Sequence, residues 1–142
     1  MMIPKALLHQ AKAFLSWDIF PELSIQLVEL SDAVSFFYPP FHRKTIIVYY
    51  ARGDEDFSIP LFHLFHEAGH CLQFEEACER NSDSDFWERV NTPTGLLKTA
   101  FEEEAWIKGR TLLERFIQKD AMDASILEAY DAYSEKSVQS YL

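Results

Sequence analysis

Phe62-His63-Leu64-Phe65-His66-Glu67-Ala68-Gly69-His70 is the stretch that decides the fold. Ser58 supplies a helix cap and Pro60 is tolerated in a first turn, so a helix is expected from Ser58 to about Arg80. Asn81-Ser82-Asp83-Ser84 breaks it. Two histidines four apart on a helix project from one face, one turn above the other. The imidazoles of His66 and His70 can therefore converge on one metal ion, at about 2.0–2.1 Å for zinc. Glu67 follows the first histidine and leans toward the open side of such an ion, where a carboxylate serves as general base toward an attacking water.

Upstream, residues 4–16 read as an amphipathic helix, with Leu7, Leu8, Ala11, Phe14 and Leu15 on one side. Three strands are expected at Ser24–Leu30, Val34–Tyr38 and Thr45–Tyr50, with a turn at Ser31-Asp32 and a stop at Pro39-Pro40. Thr45-Ile46-Ile47-Val48-Tyr49-Tyr50 is the strongest of them, β-branched and aromatic throughout. Downstream, Asp85–Val90 is expected to add one helical turn. Thr92-Pro93 signals a helix reaching about Lys119, and a last helix covers roughly Asp123–Lys136. The expected class is α+β: one zincin-like domain over residues 1–142. It comprises an N-terminal helix, a small antiparallel three-stranded sheet, the H-E-x-x-H helix, a third-ligand helix and a C-terminal helix.

Zinc requires a third protein ligand if one position is to stay open. No histidine follows His70, which excludes a third-histidine motif and points to a carboxylate. The candidates are Glu102, Glu103 and Glu104. Helical geometry places Glu102 with Gly95, Thr99, Ala105, Trp106, Gly109, Leu113 and Phe116, a small and apolar stripe. Glu103 falls with Arg110 and Glu114. Glu104 falls with Lys108 and Arg115, as an exposed i,i+4 pair with Lys108. Glu102 is thus the carboxylate on the apolar side, and a buried carboxylate needs a cation.

His63 shares the face of His66, but it lies about 10.5 Å along the axis from His70 and reads as a packing residue or as one that supports a metal-binding side chain. His42 reads as a surface histidine or as a group that polarises a substrate carbonyl. Tyr49 and Tyr50 alternate across the sheet, so one of them faces the core. Cys71 and Cys78 are about 10 Å apart along one helix, too far for a disulfide, and read as reduced core thiols of a cytoplasmic protein. The net charge of −10 disfavours a nucleic-acid partner. No apolar run approaches the roughly 20 residues of a membrane span, and no signal peptide is expected.

These residues resemble the ImmA/IrrE-type zinc metallopeptidases over roughly residues 45–113. His66-Glu67-Ala68-Gly69-His70 is similar to that family's H-E-x-G-H helix. Glu102-Glu103-Glu104-Ala105 is similar to its E-x-E-A motif, with Gly109 and Leu112-Leu113 at positions usually small and leucine. The resemblance implies His66, His70 and Glu102 as ligands of Zn2+ and Glu67 as base, and a protein substrate that includes regulators. The expected activity is hydrolysis of peptide bonds in a protein or peptide, laid extended beside an exposed edge of the small sheet, for which the Thr45–Tyr50 strand is one candidate. The alternative is a zinc-binding interaction module that cuts nothing, although such a module has no need of Glu67.

Overall fold

The structure is a computed structural model that describes residues 2–30, 35–38, 44–120 and 122–142. His42, the Ser31-Asp32 turn, Val34 and the Pro39-Pro40 stop lie outside them. The class is α+β and mostly helical. Two compact units are present, Met1–Ala68 and Gly69–Leu142. The boundary falls inside one unbroken helix, Ser58–Glu79.

The first unit opens with helix α1 (Lys5–Ala13), which continues into a π-helical segment, Phe14–Ile19. Leu8, Ala11, Phe14 and Leu15 are buried, as the 3.6-residue period requires. Strands β1 (Ser24–Leu30), β2 (Ser35–Tyr38) and β3 (Thr45–Ala51) follow. The expected all-antiparallel sheet is not what forms. The order is β1-β3-β2, with β3 parallel to β1 and antiparallel to β2. β3 takes the centre because it is the most β-branched and aromatic segment, and a central strand gains most from such side chains. Its Ile46, Val48 and Tyr50 are buried in strict alternation. Tyr50 packs edge-on against Phe57 at 5.4 Å, so it is the tyrosine that faces the core. Over Thr45–Val48 β3 is paired on both sides, by β1 and by β2, so this stretch is not the free edge expected to take an extended peptide.

Helix α2 (Ser58–Glu79) starts one residue earlier than a Ser58 cap would give. Ser58 is its first helical residue, and the capping acceptor is Asp56. Asp56 Oδ1 receives the Ser58 amide at 3.1 Å and the Ile3 amide at 3.1 Å.

In the second unit the last turns of α2 are followed by helices α3 (Asp83–Asn91), α4 (Leu96–Lys119) and α5 (Ser125–Gln139). α3 is a full helix rather than a single turn. Thr92 closes it, donating its hydroxyl to the Glu88 carbonyl at 2.7 Å, and does not open α4 as expected. Gly95 opens α4 at φ 112°, a backbone conformation that L side chains rarely adopt. Tyr130 joins α5 to α4 by donating to the Trp106 carbonyl at 2.6 Å beneath a T-shaped ring contact. Cys71 is buried, but Cys78 is exposed, so only one of the two thiols belongs to the core; neither forms a disulfide.

One contact sets the spacing of α2 and α4 in this unit. A Cβ added to Gly69 would lie 1.9 Å from the Ala105 carbonyl oxygen and 3.0 Å from the Gly109 nitrogen. These obstacles are backbone atoms, which cannot rotate away. Gly69→Ala is therefore expected to force the helices apart and to destabilise the protein by about 1–3 kcal/mol or more, read by urea denaturation. Unchanged stability would mean that the helices tolerate the extra methyl group.

Candidate metal centre

α2 carries His66 and His70 one turn apart, and α4 carries Glu102, three residues before Ala105. Residues three apart share a helix face. The contact of Gly69 with Ala105 therefore sets Glu102 beside His70, the residue after Gly69. His70 Nε2 stands 3.0 Å from Glu102 Oε2. One ligand atom each from His66, His70 and Glu102 lies within 4.8 Å of the others, and all three residues are buried. Around a tetrahedral zinc with bonds near 2.0–2.1 Å, ligand atoms sit about 3.3 Å apart. The three groups could thus hold a metal ion after small side-chain shifts, and two imidazoles with a carboxylate are a donor set that such an ion accepts.

Glu67 is also buried, with Oε1 4.0 Å from His66 Nε2. The three side chains that converge within 4.8 Å are those of His66, His70 and Glu102, and Glu67 is not one of them.

The three glutamates of α4 separate as their faces predict. Glu102 is 4% exposed, whereas Glu103 and Glu104 are exposed. The expected Glu104–Lys108 pair is not formed. Lys108 instead reaches Glu76 of α2 at 2.9 Å, and Glu104 accepts from Gln73 at 3.0 Å. Arg110 pairs with Glu114 and grips Asp131 of α5 at 2.7 and 3.0 Å.

His63 stands apart from the triad. Burial pushes its imidazole from 6.5 down to about 4, so it stays neutral in the fold.

Sequence reasoning missed two groups. Lys98 is 7% exposed, with its ammonium 3.7 Å from Glu102 Oε2. It also donates to the carbonyls of Arg89 and Val90 at the end of α3, at 3.0 and 3.2 Å. Gln73 is 5% exposed and lies 2.7 Å from His70 Nδ1. The signal was available for both: Gln73 follows His70 by three and Lys98 precedes Glu102 by four, each a same-face spacing.

Comparison with protein-family models, with curated proteins and with solved structures found no match. Among the described residues no helix is long and apolar enough to cross a membrane.

Two outcomes follow from this geometry. Glu102→Ala is expected to weaken uptake of a divalent transition metal far more than Glu103→Ala, as read by metal titration of tag-free protein. Equal effects would place the ligand elsewhere. For His63, the unfolded chain binds a proton at about pH 6.5 that the fold refuses until about pH 4. Stability tied to this residue is thus present above pH 6.5 and lost as pH falls toward 4. Relative to His63→Gln, the wild type is expected to lose up to about 3 kcal/mol across that window. A difference that does not change with pH would show that His63 charges freely in the fold.

Proposed function

We propose that this protein is a zinc-dependent peptidase that hydrolyses peptide bonds in a protein substrate. The observation that carries the reading is the convergence of buried His66, His70 and Glu102, with Glu67 buried next to His66. Two imidazoles and one carboxylate leave one position of a tetrahedral zinc open, the arrangement of catalytic rather than structural sites. The resemblance of His66-Glu67-Ala68-Gly69-His70 and of Glu102-Glu103-Glu104-Ala105 to the ImmA/IrrE-type motifs supports the same assignment, including a regulatory protein as substrate.

His66, His70 and Glu102 would hold the ion. Zinc bound there supplies Lewis acidity, which polarises a carbonyl and lowers the pKa of water toward about 7. Glu67 takes one proton from the attacking water onto a carboxylate oxygen and delivers it to the leaving amide nitrogen as the C–N bond breaks. Its burial keeps that carboxylate away from bulk water.

The test compares wild type with Glu67→Gln, both loaded with zinc. The substitution keeps the side chain's shape and removes its basicity, so zinc content and folding are expected to match. Denatured cell extract treated with each protein is then searched for new N-termini. Wild type is expected to generate them, and Glu67→Gln is expected to be slower by about 10²–10⁴-fold. New termini formed equally by both would remove Glu67 from the mechanism. None formed by either zinc-loaded protein would favour the interaction module that binds zinc and cuts nothing.

A further inference from the structure

Gln73 makes three hydrogen bonds, and together they determine the orientation of its amide. Its amide nitrogen faces two groups, the Phe101 carbonyl at 2.8 Å and the Glu104 carboxylate at 3.0 Å. Both are acceptors, so the amide must turn its NH2 toward them. The amide oxygen is then left 2.7 Å from His70 Nδ1. An amide oxygen only accepts, so Nδ1 must carry a proton. In a neutral imidazole the lone pair is then confined to Nε2, the atom 3.0 Å from Glu102 Oε2. Two acceptors at that distance are stable only with a cation, a proton or a metal ion, shared between them.

We propose that Gln73 is the positioning residue of this centre: it fixes His70 in the Nδ1–H form and holds the ring, while Glu104 and the Phe101 carbonyl hold Gln73. The middle and outer members of the glutamate run thereby differ in kind. Glu103 faces solvent, and Glu104 acts on the ion through Gln73 and His70 without touching it. Metal-binding histidines commonly donate their second ring N–H to an oxygen that orients them, and losing that partner typically costs 10–100-fold in affinity. Here the oxygen comes from a residue on the same helix, one turn on, and α4 holds it in place from the opposite side.

The proposal rests on the metal reading for its affinity arm, and a second arm needs no metal. Zinc affinity is measured by competition against a fluorescent chelator. Gln73→Leu is expected to bind about 10–100-fold more weakly with its helical circular dichroism unchanged. Glu104→Ala is expected to weaken binding by a smaller factor, and to add nothing in the Gln73→Leu background, because Glu104 acts only through Gln73. Independent, multiplicative losses would overturn the chain of contacts, as would wild-type affinity in folded Gln73→Leu. If Gln73→Leu does not fold, the paired change Gln73→Glu with Glu104→Gln serves instead. It keeps an acceptor at His70 and moves the donor to position 104, so affinity within a few-fold of wild type is expected; loss as deep as for Gln73→Glu alone would overturn the proposal. In metal-free protein at pH 8, nitrogen-15 spectra of the His70 ring are expected to show Nδ1 protonated. A ring protonated on Nε2 alone would overturn it, even in a protein that takes up no zinc.

Discussion

Everything at the candidate centre depends on the absence of one side chain. Gly69 lets the backbone of α2 come against the backbone of α4 at Ala105 and Gly109, nearer than any Cβ would permit. Glycine in a helix interior costs roughly 0.5–1 kcal/mol relative to alanine, so a glycine kept there is serving geometry rather than helix stability. The geometry it serves is local. His70 follows Gly69, Glu102 stands one turn before Ala105, and Gln73 is one turn beyond His70. Closing the helices at Gly69 brings His70 within hydrogen-bond reach of Glu102 and Gln73 within reach of the Phe101 carbonyl.

Such closeness creates an electrostatic difficulty. Glu102 is taken almost wholly out of water, and an unpaired buried carboxylate costs several kcal/mol. Two groups meet that demand without any ion. His70 lies within hydrogen-bond distance, and the Lys98 ammonium approaches from one turn earlier on α4. Lys98 is itself desolvated. The end-of-helix carbonyls of Arg89 and Val90 and the faces of Phe101 and Tyr141, at 5.4 and 5.6 Å, replace its water. The C-terminus of α3, the entry of α4 and the Glu102 carboxylate are thus tied through one cation. Truncating Lys98 would disturb all three, so its effect on metal binding and its effect on folding are not separable by a single substitution.

What the sequence made legible follows from which physical rule each feature obeys. The α2 and α4 helices and the burial of Glu102 alone among three consecutive glutamates are consequences of the 3.6-residue period, and a period is local information. Strand order is not local. β1, β2 and β3 were each recognisable, yet nothing in their own residues says that β3 pairs with both neighbours and runs parallel to β1; that depends on which strand the rest of the first unit covers. The start of α4 was misplaced for another reason. Thr92-Pro93 carries two ordinary start signals, but Gly95 at φ 112° supplies the actual break, and Thr92 spends its hydroxyl on the end of α3. Lys98 and Gln73 were missed because polarity was read as exposure. A polar residue on the apolar face of a helix, three or four residues from a buried ligand, is better read as that ligand's partner.

This partner logic bears on the order of events. Many small metal sites are unfolded until the ion arrives, and the ion's binding energy is then folding energy. Here the chain's own contacts already orient the ligands: Gln73 holds His70 from behind, Lys98 holds Glu102 from one side, and Gly69 sets the helix spacing. An ion bound by His66, His70 and Glu102 would find those side chains already close together. Its binding then adds stability by mass action rather than supplying the fold, by about 2.7 kcal/mol at a free concentration 100 times the dissociation constant. A centre organised in this way is suited to an ion that stays reactive. The protein itself bears the cost of bringing His66, His70 and Glu102 together.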